Sequence, residues 1–210
     1  MYYGQSLSTG GGSTDPMDKI LHLNYFPTKT DGFFIEAGAN DGLFLSSCKF
    51  FEDIGWKGIN IEPSKSLFNS LIINRPNSIN LNIALLDKET EVEFEEVDFD
   101  NGGFSRIKDV RSAYYDSFFK LAVENSYKIK TQTYAKLIQD LNIPKVDLFV
   151  LDVEGFECEV INGMKGTSIL PWLLCIEWTQ CGLEKLSSLL FDNYLLDWND
   201  SLNAIFMRRK

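Results

Sequence analysis

Short apolar runs of strand length alternate with segments of helical pattern along most of the chain, and that alternation leaves few folds open. Phe33 to Ala37, Gly58 to Glu62, Ser78 to Leu85, Val146 to Asp152 and Trp172 to Glu177 read as strands. Between them, Leu43 to Ile54, Ser64 to Asn74, Thr133 to Leu141, Glu157 to Met164 and Leu183 to Phe191 read as helices. Asp15-Pro16-Met17-Asp18 carries the cap, proline and early acid of a further helix start. Apolar strands separated by helices are covered on both faces, so the pattern predicts an α/β fold built on a mostly parallel twisted sheet. Glu91 to Phe99 alternates apolar and acidic residues like a half-exposed edge strand, and Tyr127 to Gln132 is one more strand. Tyr194 to Asp197 and Ala204 to Arg208 flank the polar turn Asn199-Asp200-Ser201. They predict a C-terminal antiparallel hairpin, the one place where antiparallel pairing is expected.

With 210 residues, 44% of them hydrophobic, the chain can bury one substantial core. The expected organisation is a flexible segment over residues 1–14, rich in Gly, Ser and Thr, followed by a single domain over 15–210. The formal charge of -10 would repel a phosphate backbone, and no Lys/Arg cluster offsets it, so nucleic acid is not expected as a partner. No apolar stretch has the length of a membrane span, and the N-terminus lacks the basic-then-apolar order of a signal peptide. Cys48, Cys158, Cys175 and Cys181 show no paired metal-site spacing and read as small apolar fillers. A reducing, cytoplasmic location is expected.

In such sheets ligands bind at the carboxyl ends of the strands, near the point where strand order reverses. The first strand ends in Glu36-x-Gly38-x-x-x-Gly42, where glycines let the backbone approach a ligand and the acid can fix the turn or a cationic group. The second ends at Glu62, placed to accept both hydroxyls of a ribose. Asn82 and Ala84 follow the third, and the fourth ends Asp152-Val153-Glu154-Gly155. A dinucleotide site favours a tighter glycine turn for its pyrophosphate. Asn40-Asp41 occupies that position here, and an acidic loop suits a ligand without phosphates and with a positive centre, such as S-adenosylmethionine.

These segments resemble a known family. Phe33 to Gly42, Gly55 to Pro63, and Val146 to Glu157 with its D-V-E-G-x-E core are similar to the FkbM-type methyltransferases, a resemblance that runs from about Asp18 to about Glu177. It implies a Rossmann-like class I methyltransferase fold and transfer of methyl from S-adenosylmethionine to a hydroxyl, often on a sugar or glycan. Carried over by position, Glu36, Gly38, Asn40 and Gly42 would shape the methionine pocket and Glu62 would hold the ribose. Asn82 and Ala84 would lie along the adenine, and Asp152 and Glu154 would face the reacting centre. The family's Ser-Gln beside an acidic helix start is displaced here, because a Gly/Ser-rich stretch separates Gln5 from Asp15.

Methyl transfer to an alcohol is an in-line displacement that needs a base for the hydroxyl proton. Asp152 and Glu154 are the expected catalytic pair, because a buried strand end raises the proton affinity of a carboxylate. His22, the only histidine, lies in the first helix and reads as a packing residue. Asp152 with Glu177, which ends the next strand, could instead hold a divalent cation such as magnesium. Gly102-Gly103-Phe104-Ser105 and an aromatic helix over Val110 to Asn125, with Tyr114, Tyr115, Phe118 and Phe119, are candidate contacts for the sugar, although aromatics at helical spacing are more often core. The chain leaves little room for an elaborate acceptor domain, which would suit one domain of a larger sugar-modifying enzyme. Two other readings stay open on residues alone: a nicotinamide-dependent oxidoreductase on a similar sheet, and a nucleotide-binding module without turnover.

Overall fold

The computed structural model describes residues 1–6, 8–9, 12–13, 15–97, 100–108 and 123–210. In chain order the strands are β1 (Ser8–Thr9), β2 (Gly12–Ser13), β3 (Phe33–Ala37), β4 (Lys57–Ile61), β5 (Ile79–Leu81), β6 (Ala84–Leu85), β7 (Glu91–Val97), β8 (Arg106–Ile107), β9 (Val123–Gln132), β10 (Leu148–Leu151), β11 (Leu173–Glu177), β12 (Tyr194–Asn199) and β13 (Asn203–Arg208). The α-helices are α1 (Met17–Tyr25), α2 (Lys49–Asp53), α3 (Lys65–Asn74), α4 (Tyr134–Asp140), α5 (Glu157–Asn162) and α6 (Leu183–Leu190).

Seven strands form the main sheet in the order β12-β13-β11-β10-β3-β4-β5. β13 pairs antiparallel with both neighbours, and the other pairings in this sheet are parallel. The apolar runs are continuous because both faces of the central strands are covered. Alternate residues go to opposite sides: Ile35, Phe149 and Leu151 pack with Tyr134, Leu137, Val160 and Leu186, while Phe34, Leu148 and Val150 pack with Leu21, Phe51 and Trp56. Strand order reverses between β3 and β10, which pair directly through Leu148 to Leu151 against Phe34 to Ala37. The ligand crevice of such a sheet opens at that point, beyond the carboxyl ends of the two strands.

A second sheet, β6-β9-β7-β8, interrupts the alternation. The third strand, expected over Ser78 to Leu85, is therefore broken in two. Its first part pairs with β4 in the main sheet, and its second part, Ala84–Leu85, pairs with β9. At the break the Asn82 amide donates to the carbonyls of Glu62 and Pro63, at 2.8 and 3.0 Å. The acidic strand expected at an edge is flanked on both sides, by β9 and β8. Two of its acids pair with cations, the buried Glu95 with Arg106 and Lys108, and the exposed Glu93 with Lys108. Antiparallel pairing is accordingly wider than the C-terminal hairpin, which is present as expected.

The helix expected over Leu43 to Ile54 is reduced to α2, because Leu45 adopts the left-handed region (φ 53°) and the amides of Ser47 and Cys48 are taken by the Glu36 carboxylate. Of the aromatic helix expected over Val110 to Asn125, Tyr114, Tyr115, Phe118 and Phe119 lie outside the described residues, and Val123 to Asn125 belong to β9. β1 and β2 pair within the Gly/Ser-rich stretch. Ahead of them, the buried Asp18 carboxylate accepts the Tyr3 amide at 2.6 Å, and the Met17 amide donates to the Gln5 carbonyl.

One buried cation ties the ligand end of the sheet together. Arg75, 0% exposed at the end of α3, donates from Nε to Glu52 at 2.7 Å. Its Nη1 reaches Glu36 Oε2 at 3.3 Å, the Gly42 carbonyl at 3.1 Å and Ser46 Oγ at 3.2 Å. Removing one partner of a buried ion pair leaves the other charge uncompensated. Arg75→Ala is expected to lower the unfolding free energy by about 3–5 kcal/mol, read as a shift in the urea midpoint. An unshifted midpoint would show that Glu36 takes up a proton at little cost.

Candidate active site

A cavity of about 470 Å³ opens at the β3/β10 switch point, within the roughly 300–1,000 Å³ of small-ligand sites. Eight of the ten residues expected to bind cofactor or metal or to act in catalysis line it, Glu36, Gly38, Asn40, Glu62, Ala84, Asp152, Glu154 and Glu177, as do the candidate sugar contacts Gly102, Gly103, Phe104 and Ser105. Gly42 and Asn82 stand behind the wall. Gly42 (φ 83°) leaves room for the Arg75 side chain, whose Cγ a Cβ at this position would meet at 2.6 Å. Asn82 holds the β4–α3 turn through its two carbonyl contacts.

The glycine turn is fixed by close approach as well as by conformation. Gly38 has φ 84°, and a Cβ here would lie 1.8 Å from the Asp152 carbonyl oxygen. Only glycine lets the end of β3 sit against the end of β10. Glu36, buried beneath the turn, accepts from Ser46 Oγ, the Ser47 and Cys48 amides and Arg75. Burial raises its carboxyl above the ordinary range, and Arg75 opposes that rise. These partners make Glu36 a brace for the 46–48 loop.

Glu62 has a different setting. One carboxylate oxygen accepts the Asn40 amide at 2.8 Å and the other the Ser64 amide at 2.7 Å. Each oxygen keeps a lone pair for a ligand hydroxyl. Burial pushes its carboxyl up to about 7, against the pull of those two amides. The neighbouring Glu96 goes the other way. Burial would raise it, but hydrogen bonds from Ser64, Tyr127 and Ser66 hold it at about 2. Glu96 thereby fastens the second sheet to the start of α3, and so places Phe94 and the Gly102 to Ile107 segment along the cavity wall. Asn40 adds a second tie, donating to the Asn101 carbonyl at 3.1 Å while the Asn101 amide donates back at 3.3 Å.

Asp152, Glu154 and Glu177 converge at the other side of the cavity. Asp152 is open to the cleft, yet that opening is walled by protein and by other acids. Desolvation, then the charges of Glu177 and Glu154, hold its carboxyl well above the usual range. Burial and Glu177 do the same to Glu154, against a 2.6 Å hydrogen bond from Gln180 Nε2. Glu154 adopts φ 54°, a strained geometry for a side chain of this size. The loop after β11 holds both outer acids, Gln180 on Glu154 and Thr179 Oγ1 on Glu177 at 2.8 Å.

Several residues of the site were not singled out in the sequence. Arg75 precedes Pro76 at a helix end, with nothing to mark which acids it would meet. Gln180 follows the last buried strand without a motif. Glu157 was visible as the last acid of D-V-E-G-x-E, and it caps the turn, accepting the Val153 and Gly155 amides at 3.1 Å each. Gln5 lines the cavity despite its distance in sequence from Asp15, because residues 1–6 return to the start of α1. His22 lies away from the cavity. Its Nδ1 meets the Tyr2 hydroxyl at 2.8 Å and its ring packs on Phe50, as a packing histidine would.

A parallel sheet with β13 inserted in reverse beside β11, and a cavity at the switch point, define a class I S-adenosylmethionine-dependent methyltransferase fold. The model of the Methyltransferase FkbM domain matches residues 36–197, and the chain belongs to that family. The yhhF protein of Escherichia coli, assigned as a methyltransferase, has the same fold at 12% identity and a TM-score of 0.51, over 97% of this chain and 89% of that one. The METTL16 MTase domain superposes with a TM-score of 0.52 at 9% identity, over 96% of this chain and 69% of that one. No curated protein sequence matches. The family decides against the nicotinamide-dependent oxidoreductase left open by the residues.

Gly38→Ala is expected to destabilise the protein by more than about 2 kcal/mol, since the new Cβ is both strained and in collision with Asp152. Urea denaturation reads the loss, and calorimetry with adenosylhomocysteine should show weakened binding. Unchanged values in both would mean that β3 and β10 separate at little cost.

Proposed function

We propose that the chain transfers the methyl group of S-adenosylmethionine to a hydroxyl of a sugar or glycan, with Asp152 and Glu154 as the catalytic carboxylates. The observation that carries this reading is the convergence of Asp152, Glu154 and Glu177 on the cavity, directly across the Gly38 contact from the cofactor turn. Carboxylates this close cannot all ionise. In the proposed step one of them accepts the hydroxyl proton as oxygen attacks the methyl carbon, while its neighbours stay protonated or hydrogen-bonded through Gln180 and Thr179. Phe104 lines the cavity, and aromatic side chains are of the kind that pack against the apolar faces of sugar rings.

For the cofactor, Glu62 takes the ribose hydroxyls, Glu36, Gly38 and Asn40 shape the methionine end, and Ala84 lies along the adenine. Gly42 and Asn82 support these positions from behind. A divalent cation such as magnesium would be held by Asp152 and Glu177, whose oxygens are donors of the kind it takes. Asp152, Glu157 and Glu177 can bring ligand atoms within 4.8 Å of one another, but Glu157 already accepts two amides and the Cys181 thiol. A cation there would make a sugar hydroxyl more acidic.

Among the described residues no helix is long and apolar enough to cross a membrane. The four free thiols suit the reducing cytoplasm. The acidic net charge favours a saccharide over nucleic acid as acceptor.

Glu62→Ala should weaken adenosylhomocysteine by at least about tenfold, the loss of a charge-assisted hydrogen bond, measured by calorimetry. The ribose reading needs the ionised carboxylate. Below pH 7, near its raised pKa, binding must expel a proton, so affinity should fall by up to about tenfold per pH unit. An affinity flat from pH 5 to 8 would remove Glu62 from the ribose. Methyl transfer from labelled S-adenosylmethionine to a panel of monosaccharides and glycans tests the acceptor, and activity confined to amines or nucleic acid would refute it. Turnover lost on exhaustive EDTA treatment and restored by magnesium would support the cation. Turnover unchanged by EDTA would exclude it.

A further inference from the structure

The first six residues lie outside the stretch that the family model matches, and they form a strap across α1 and α2 that brings Gln5 to the cavity wall. The Tyr2 ring packs on Phe50 in α2 with 4.5 Å between centroids, and its hydroxyl meets His22 Nδ1 in α1 at 2.8 Å. The Tyr3 amide donates to the buried Asp18 carboxylate at 2.6 Å, and the Tyr3 hydroxyl donates to Asp53 at 2.9 Å. Gly4 is buried against the start of α1, where a Cβ would meet the Asp18 nitrogen at 2.8 Å and the Met17 nitrogen at 2.9 Å. The Gln5 carbonyl then accepts the Met17 amide at 3.2 Å. Asp18, a buried acid that methyl transfer does not use, is thus the anchor of the strap.

Gln5 lines the cavity together with Met17, Ser46 and Ser47, and no hydrogen bond among the described residues engages its carboxamide. Met17 packs in the same core as Cys48, whereas Ala84 belongs to the core under the second sheet. The strap therefore reaches the cavity on the side of the glycine turn and the 46–48 loop, away from the adenine wall. An amino-acid end brought there carries two charges. Its ammonium can be met by the acids of the cavity, but its carboxylate would be repelled by them and needs a donor without negative charge. On this wall the Ser46 hydroxyl and the Ser47 and Cys48 amides already go to Glu36. A primary amide has two N–H groups to give. We propose that the Gln5 carboxamide donates to the carboxylate at the amino-acid end of S-adenosylmethionine, so that residues 1–6 are part of the cofactor site. The inference rests on S-adenosylmethionine as the cofactor and is independent of the acceptor.

The test is calorimetry on the whole chain with two probes, adenosylhomocysteine and methylthioadenosine. The second keeps the adenine, ribose and sulfur but has no amino-acid end. Gln5→Ala should weaken adenosylhomocysteine by about tenfold, the loss of a hydrogen bond to a charged group, and leave methylthioadenosine unchanged. Its urea midpoint should stay in place, because the tie to Met17 is made by the backbone carbonyl. Gln5→Glu sets a carboxylate against a carboxylate and should cost adenosylhomocysteine more than Gln5→Ala does, again without effect on methylthioadenosine. Gly4→Ala, which crowds the strap away from α1, should give the same selective loss as Gln5→Ala. Equal weakening of both probes in Gln5→Ala would make Gln5 a structural residue only and overturn the contact. Neither probe weakened would overturn it as well. A native chain that binds neither probe would refute the cofactor itself, a result distinct from both.

Discussion

The ligand end of this molecule rests on Arg75. A guanidinium with no exposed surface is costly to bury, and it is tolerated here because three separate pieces of chain supply its partners: Glu36 at the end of β3, Glu52 in α2, and the Gly42 carbonyl in the intervening turn. The planar fork of an arginine can serve these directions together, which a lysine could not. Glu36, so anchored, takes the amides that would otherwise start α2 earlier. The shortened helix, the left-handed Leu45 and the shape of the cavity floor follow from that one charge.

The second sheet completes the site from the other side. It enters where β5 would have continued, and its attachment is polar. The low Glu96 carboxylate gathers three hydroxyls and an amide at the start of α3, next to a Glu62 whose carboxyl is raised. Two acids that meet at the same helix start thus differ because one is saturated with donors and the other has two amides and an open side. The open one faces the cavity.

Much of this was readable in the sequence, and the limits have physical causes. The buried strands were legible because both-face burial leaves uninterrupted apolar runs, and Phe33–Ala37 matches its expected bounds. Glu36, Gly38, Asn40, Glu62, Ala84, Asp152, Glu154 and Glu177 reach the cavity because strand ends at a switch point converge wherever the helices go. What escaped depended on partners distant in sequence. The break at Asn82, the protection of the acidic β7 on both edges and the depth of Arg75 are set by contacts that local periodicity does not record. Gln5 escaped because distance along the chain is a poor guide where a segment folds back on itself.

The contact between Gly38 and the Asp152 carbonyl has a mechanical consequence. The backbone of the glycine turn, which on the proposed function would cradle the cofactor, and the backbone that presents the acids meet with no side chain between them, so neither can be displaced without carrying the other. On the proposed function, alignment of donor and acceptor would thus be inherited from the sheet itself, like two tools cut on one casting. Diversification of such a scaffold toward new acceptors would have to proceed through the walls, in the Gly102 to Ile107 segment and the loop after β11, while the seam between the two strands stays the same.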